Sequence, residues 1–218
     1  MEVNQNLEVA KNLTEEFVRV RTGREGDREG MVVALCARSF TRGVLVFFDH
    51  KAQAHRMKII FGLLGLKAAE LHGNMTQQQR LDSLEAFKEG RVPCLLATDV
   101  ASRGLDIAGV LTVINYEMPS RPENYVHRVG RTARAARAGR AVTLISDTQK
   151  PLLKKLSKNK TRQLQSRTIP TEVPITHSRG DEKKVLTLTL TLTLTLTLTL
   201  ILTPNWRSLL IGGRKSKT

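Results

Sequence analysis

Apolar residues fall in short unbroken runs separated by longer stretches of helical spacing. Val44-Leu45-Val46-Phe47-Phe48 lies between Gly43 and Asp49, and Cys94-Leu95-Leu96-Ala97 ends against Thr98-Asp99. Continuous runs of this length predict strands buried on both faces of a parallel sheet. Further strands are predicted over residues 14–21, where Phe17, Val18 and Val20 begin to alternate, and over 67–71, 111–116 and 141–145. Helices are predicted between them. One runs from an Asp27 cap to residue 40, and one covers 51–64 with Met57, Ile60, Phe61 and Leu64 as its buried stripe. A third opens on the capping-box spacing Thr76-Gln77-Gln78-Gln79 and closes at Gly90. A short helix covers 122–129, and a last one, 149–158, follows Ser146-Asp147. This alternation predicts one doubly wound α/β domain over residues 14–158, with a mostly parallel sheet and helices on both faces. Ligands of such sheets bind beyond the carboxyl ends of the strands. The loops at Asp49-His50, His72-Gly73 and Thr98-Asp99 would open there.

The flanks read differently. Residues 1–13 suit a linker leading into the domain, with no apolar stretch of the kind a signal peptide needs. Residues 159–184 are polar and basic, a composition that predicts disorder. Within 185–203, Leu and Thr alternate strictly from Leu186 to Leu200, an ideal period-2 pattern without charge or proline. Such a repeat is low in complexity and prone to aggregate where exposed. The basic tail, 204–218, carries Gly212-Gly213-Arg214-Lys215-Ser216 but lacks the earlier glycine that a phosphate loop requires.

The formal net charge of +15 and pI of about 10.4 change the picture more than the overall composition does. Basic surface of this weight favours a polyanionic partner through counterion release. A membrane partner is disfavoured, since no apolar run is long enough to span a bilayer and no long basic amphipathic helix with an aromatic anchor is evident. Cys36 and Cys94 sit in apolar runs far apart in sequence, as buried residues of a reducing compartment would, without metal-ligand spacing.

Candidate chemistry concentrates in three segments. His127-Arg128-Val129-Gly130-Arg131-Thr132-Ala133-Arg134 repeats arginine every third residue, and Arg137 and Arg140 continue the step. The guanidinium fork stays charged and grips phosphate oxygens two at a time, although the same spacing suits a solvated basic helix face. Thr98 to Asp106 brings a hydroxyl, Arg103, Gly104 and a carboxylate to a strand end. His72-Gly73, Gln77 and Arg80 place a close-approach glycine and a cation at a helix N-terminus.

In this order and spacing the segments resemble the second RecA-like domain, the helicase C-terminal domain, of a DEAD-box RNA helicase. Val46-Phe47-Phe48 matches the family's motif IV, His72-Gly73 with Gln77 and Arg80 matches motif IVa, Thr98 to Asp106 matches motif V, and His127 to Arg134 matches motif VI. The form His-Arg-x-Gly-Arg-x-x-Arg favours the RNA branch over a DNA translocase. The segments at 23–29 and 53–57 are similar to a nucleolar branch that serves large-subunit ribosomal RNA maturation.

The resemblance implies roles. Arg131 and Arg134 would be arginine fingers reaching the ATP γ-phosphate, and Asp106 would contact the ribose, with His127 and Arg128 linking them to the rest of the nucleotide site. Gly73, Gln77, Arg80, Thr98, Arg103 and Gly104 would hold RNA backbone. Fingers should project exposed, without an obligatory carboxylate partner. Ala133 and Ala136 stand where many members carry glycine, and Ala136 is the position expected to suffer from its Cβ. The 218 residues contain no Gly-x-x-x-x-Gly-Lys-Ser/Thr loop and no Asp-Glu-Ala-Asp stretch. ATP and Mg²⁺ are therefore expected only when a first RecA-like domain is paired with this one, with no metal held by this chain alone. The alternative is a non-catalytic RNA-binding module or a truncated gene product.

Overall fold

A computed structural model describes residue 10 and residues 12–102, 104–134, 137–157 and 164–169, together with the backbone of 172–176 and 185–189. Seven strands form one sheet in which every pairing is parallel. In chain order they are β1 (Leu13–Val20), β2 (Val44–Phe48), β3 (Ala68–Leu71), β4 (Cys94–Thr98), β5 (Thr112–Asn115), β6 (Gly139–Ser146) and β7 (Leu164–Ser166). Their spatial order is β3-β4-β2-β5-β6-β1-β7. The helices are α1 (Arg28–Ala34), α2 (Lys51–Leu63), α3 (Gln77–Lys88), α4 (Asp99–Ser102), α5 (Pro122–Val129) and α6 (Lys150–Ser157).

The unbroken apolar runs are what place β2 and β4 inside the sheet, where all five residues of each are buried. Because successive side chains point to opposite faces, each run feeds two cores. Val44, Val46, Phe48 and Leu96 pack with Val32 and Val33 of α1 and Met57 and Phe61 of α2. Leu45, Phe47, Leu95 and Ala97 pack on the other face with Phe87 of α3 and Ala101 of α4. A smaller cluster joins Phe17 of β1 to Tyr125 and Val129 of α5. The Tyr125 hydroxyl also donates to Glu15 Oε2 at 2.6 Å, which fixes α5 against the far half of the sheet. Burial pushes the Cys94 thiol up, with Cys36 beside it, and both cysteines are free.

Local departures from the expected elements have identifiable causes. The predicted helix from Asp27 to residue 40 is three pieces: a 3₁₀ turn at Glu25–Asp27, α1, and a π-helical turn at Leu35–Ser39 closed by Phe40 N–H donating to the Leu35 carbonyl at 2.8 Å. Asp27 makes no side-chain cap bond; its carboxylate pairs with Arg24 at 2.7 Å instead. By contrast, the Thr76–Gln79 capping box forms in both directions.

Within residues 159–184, a span expected to be disordered, the described residues 164–169 join the sheet. Leu164–Ser166 adds a parallel edge strand to β1, Arg167 N–H donates to the Phe17 carbonyl at 2.9 Å, and the Arg167 guanidinium pairs with the buried Glu16 carboxylate. Ile169 packs against the α1–α2 core. Further on, β8 (Glu172–Thr176) pairs antiparallel with β9 (Val185–Thr189), so the start of the Leu-Thr repeat is extended as its alternation predicts. The rest of the repeat, the basic tail and most of the N-terminal linker lie outside the described residues. No described helix is long and apolar enough to cross a membrane.

Candidate nucleotide and nucleic-acid site

The carboxyl ends of β2, β4 and β5 meet at one side chain. Arg128, near the end of α5, is 2% exposed. Its Nε and Nη2 donate to the two oxygens of Asp99, just past β4, at 2.8 and 2.7 Å. Nη2 also donates to Asp49, just past β2, at 2.6 Å, and Nη1 to the Glu117 carbonyl beyond β5 at 3.5 Å. The guanidinium lies over the Phe47 ring, 5.3 Å from its centroid. Burial alone would lower its pKa, but Asp99 and then Asp49 outweigh that and hold it above the ordinary arginine value. Pro122 in the first turn of α5 presets the helical φ that starts this delivery.

The segment after α5 turns back along the sheet edge. Arg131 N–H donates to the Arg128 carbonyl, and the half-buried Arg131 guanidinium donates to the Leu105 carbonyl at 2.5 Å. Burial, followed by the neighbouring charge of Arg134, lowers the Arg131 pKa. Thr132 Oγ1 donates towards the carbonyls of Val110 and Leu111. Arg134 pairs with the largely exposed Asp106 carboxylate. Of the two expected fingers, Arg134 is exposed and its partner Asp106 is itself largely exposed, whereas Arg131 is less exposed than expected. Arg131 is partly sunk onto a carbonyl, while Arg134 pairs with Asp106, two residues after Gly104 at φ +72°.

Ala133, one of the two alanines standing where many family members carry glycine, has an unusual backbone. It adopts φ +56°, the left-handed region that disfavours a side chain, while Ala136 lies outside the described residues. A Cβ on Gly139 would come within 2.3 Å of the Ala133 backbone nitrogen, so the two positions are pressed together at the start of β6.

Together His127, Arg128 and Arg131 line a surface notch with Asp99, Ser102 and Asn124. The described positions expected to hold RNA lie on β4, α3 and the loops beside them. Gln77 is exposed in the first turn of α3, and Gly73 has open space where a Cβ would stand. Arg80 Nη2 donates to the Ala101 carbonyl at 3.0 Å, tying α3 to α4, while its Nε is buried without a partner among the described residues. Thr98, at the end of β4, is buried. Arg103 lies outside the described residues. Sequence reasoning missed Asp49 and Asp99 as the partners of Arg128 and Asn124 as a lining residue. The signal for the two aspartates was available, since each directly follows an apolar strand.

This geometry has relatives. The conserved helicase C-terminal domain family matches residues 28–136, half of the chain. The structure of the Escherichia coli DEAD-box protein SrmB, solved with the regulator RraA, is 33% identical with a TM-score of 0.63, covering 72% of this chain and 91% of that one. The chain belongs to the DEAD-box helicase C-terminal domain family. Other members of the family are more similar in sequence. The ATP-dependent RNA helicase drs1 of Aspergillus clavatus is 55% identical over 152 residues, 70% of this chain and 18% of the relative. Human DDX27 is 52% identical over 171 residues, 78% of this chain and 22% of the relative. The chain thus spans about a fifth of the length of these curated relatives. A structure of yeast Dbp5 bound to RNA and ADP BeF3 has a TM-score of 0.65 and 25% identity, covering 73% of this helicase C-terminal domain chain and 44% of Dbp5.

Proposed function

We propose that this chain is the C-terminal half of an ATP-dependent RNA helicase and acts only when a first RecA-like domain faces it. In this reading Arg131 and Arg134 stabilise charge on the transferring phosphoryl group, Asp106 holds the ribose, and His127 with Arg128 shapes the notch between them. Gly73, Gln77, Arg80, Thr98, Arg103 and Gly104 contact RNA backbone. ATP and Mg²⁺ are bound jointly with the other half, which carries the phosphate loop and the metal-holding carboxylates. The observation that supports this best is the clustering of Arg131, Arg134, Asp106 and His127 along one sheet edge, braced from beneath by the buried Arg128. The drs1 and DDX27 likeness extends the proposal to pre-ribosomal RNA in the nucleolus.

The chain alone should bind single-stranded RNA weakly, without sequence preference, and less tightly as salt rises, because phosphate contacts position but do not specify. It should hydrolyse no ATP above background until a first RecA-like domain of the same family is added. RNA-stimulated turnover by the purified chain alone would refute the shared site. The net charge of +15 favours a second reading, a non-catalytic RNA-binding module. That reading is the correct one if RNA binds yet the added domain restores no hydrolysis.

A further inference from the structure

Away from the arginine edge, α2 and β3 bring together three side chains, two of which the helicase reading leaves unused and the third of which merely precedes Gly73. Glu70 lies in β3 and His72 directly follows the strand, two positions apart and so on the same side of the sheet. His55 is on α2, the helix that crosses back onto β3. His55 Nδ1 is 3.0 Å from Glu70 Oε2, and His72 Nε2 is 3.4 Å from the same oxygen. One ligand atom from each residue falls within 4.8 Å of the others.

His72 makes this cluster more than a surface ion pair. Its side chain is nine-tenths buried, yet neither ring nitrogen has a hydrogen-bond partner among the described residues. Nε2 lies within ion-pair distance of Glu70 but outside hydrogen-bond alignment. A buried imidazole is normally satisfied by protein, water or an ion. A tetrahedral ion with bonds of about 2.1 Å separates neighbouring ligand atoms by roughly 3.4 Å. The separations of 3.0 and 3.4 Å to Glu70, with all three atoms within 4.8 Å, are close enough for small side-chain movements to close them on one ion.

We propose that His55, Glu70 and His72 form a binding site for a borderline-soft divalent cation such as Zn²⁺. Two imidazoles and one carboxylate are a recognised zinc ligand set, and imidazole disfavours Mg²⁺ and Ca²⁺. The three residues leave a fourth coordination position for water. The bound ion pins α2 to the end of β3, immediately before Gly73. It gives His72 the partner its burial demands. The inference does not depend on the helicase reading.

The test uses the full, tag-free chain stripped of metal and titrated with Zn²⁺ by calorimetry, with histidine ring resonances followed by NMR. One equivalent should bind, shifting the rings of His55 and His72 while those of His50 and His127 stay in place. His55→Ala and Glu70→Gln, both at positions that reach the surface, should each weaken binding by at least about tenfold. Circular dichroism verifies that both variants stay folded. No binding at millimolar Zn²⁺, an unchanged affinity in either variant, or shifts confined to other histidines would overturn the proposal.

Discussion

Arg128 and Arg134 lie six residues apart on one segment and show how differently the same guanidinium can be used. Arg128 is sealed inside, bidentate to Asp99 and bound again to Asp49, and it knits the ends of three strands. Arg134 stands at the rim with a single exposed carboxylate. The buried charge is held because removing it would strand two carboxylates. The rim charge is held loosely, in solvent that screens the pair. An arginine that must reach a ligand has to be of the second kind, and the first kind makes the platform from which it reaches. Arg131 is intermediate, half-buried and anchored to a backbone carbonyl.

The sharpest break of this contrast is kinetic. With a first RecA-like domain restored, Arg131→Ala and Arg134→Ala should each slow RNA-stimulated hydrolysis by roughly 10³- to 10⁵-fold. Steady-state phosphate release measures it, and a loss under tenfold for either would remove that residue from the finger role. Next is the platform. Arg128→Ala should destabilise the isolated chain by about 3–5 kcal/mol in denaturant titration. Adding Asp99→Asn to it should recover part of that loss, whereas a variant as stable as the parent would mean the buried pairing is idle. Ala133→Gly should stabilise the chain by up to about 1 kcal/mol, since glycine adopts φ +56° without strain. A lower melting midpoint would show that the alanine methyl contributes more by packing than it costs in backbone strain. Arg134→Ala should change stability by about 0.5 kcal/mol or less at moderate salt, against the several kcal/mol expected at Arg128.

The smallest effect comes from a rim-like group elsewhere. Arg19, Lys150 and Thr22 hold the partly exposed Asp147 carboxyl well below the usual carboxylate range. A depressed folded value means the contribution is present above the ordinary carboxylate range and is lost as pH falls through the folded value. Asp147→Asn should therefore flatten the acid limb of the stability profile only slightly, and less so in high salt.

Much of this is legible in the chain itself. The apolar runs of β2 and β4 point to a doubly wound sheet because a strand of such a sheet is buried on both faces, as both are. The capping box of α3 is a local feature and is visible locally. What escapes depends on distant partners. Leu164-Gln165-Ser166 has no strand pattern of its own; the buried Glu16, 151 residues away from Arg167, draws that segment onto the sheet. The arginine row is evident, but three-residue spacing cannot say that one arginine goes inward while the others remain at the rim. Nor does a single letter reveal φ, so the left-handed backbone of Ala133 is visible only in the structure.

The short strand β7 carries a practical consequence. It covers part of the outer edge of β1, whose backbone would otherwise offer unpaired donors and acceptors to any extended segment. A shortened protein ending at residue 158 would lay that edge bare. If the Leu-Thr repeat were present nearby, its uncharged alternation would be a ready guest for such an edge. Shortened versions made for biophysics should therefore keep residues through Ile169 and omit the repeat and the basic tail, so that solubility rather than activity becomes the first place where the cut is felt.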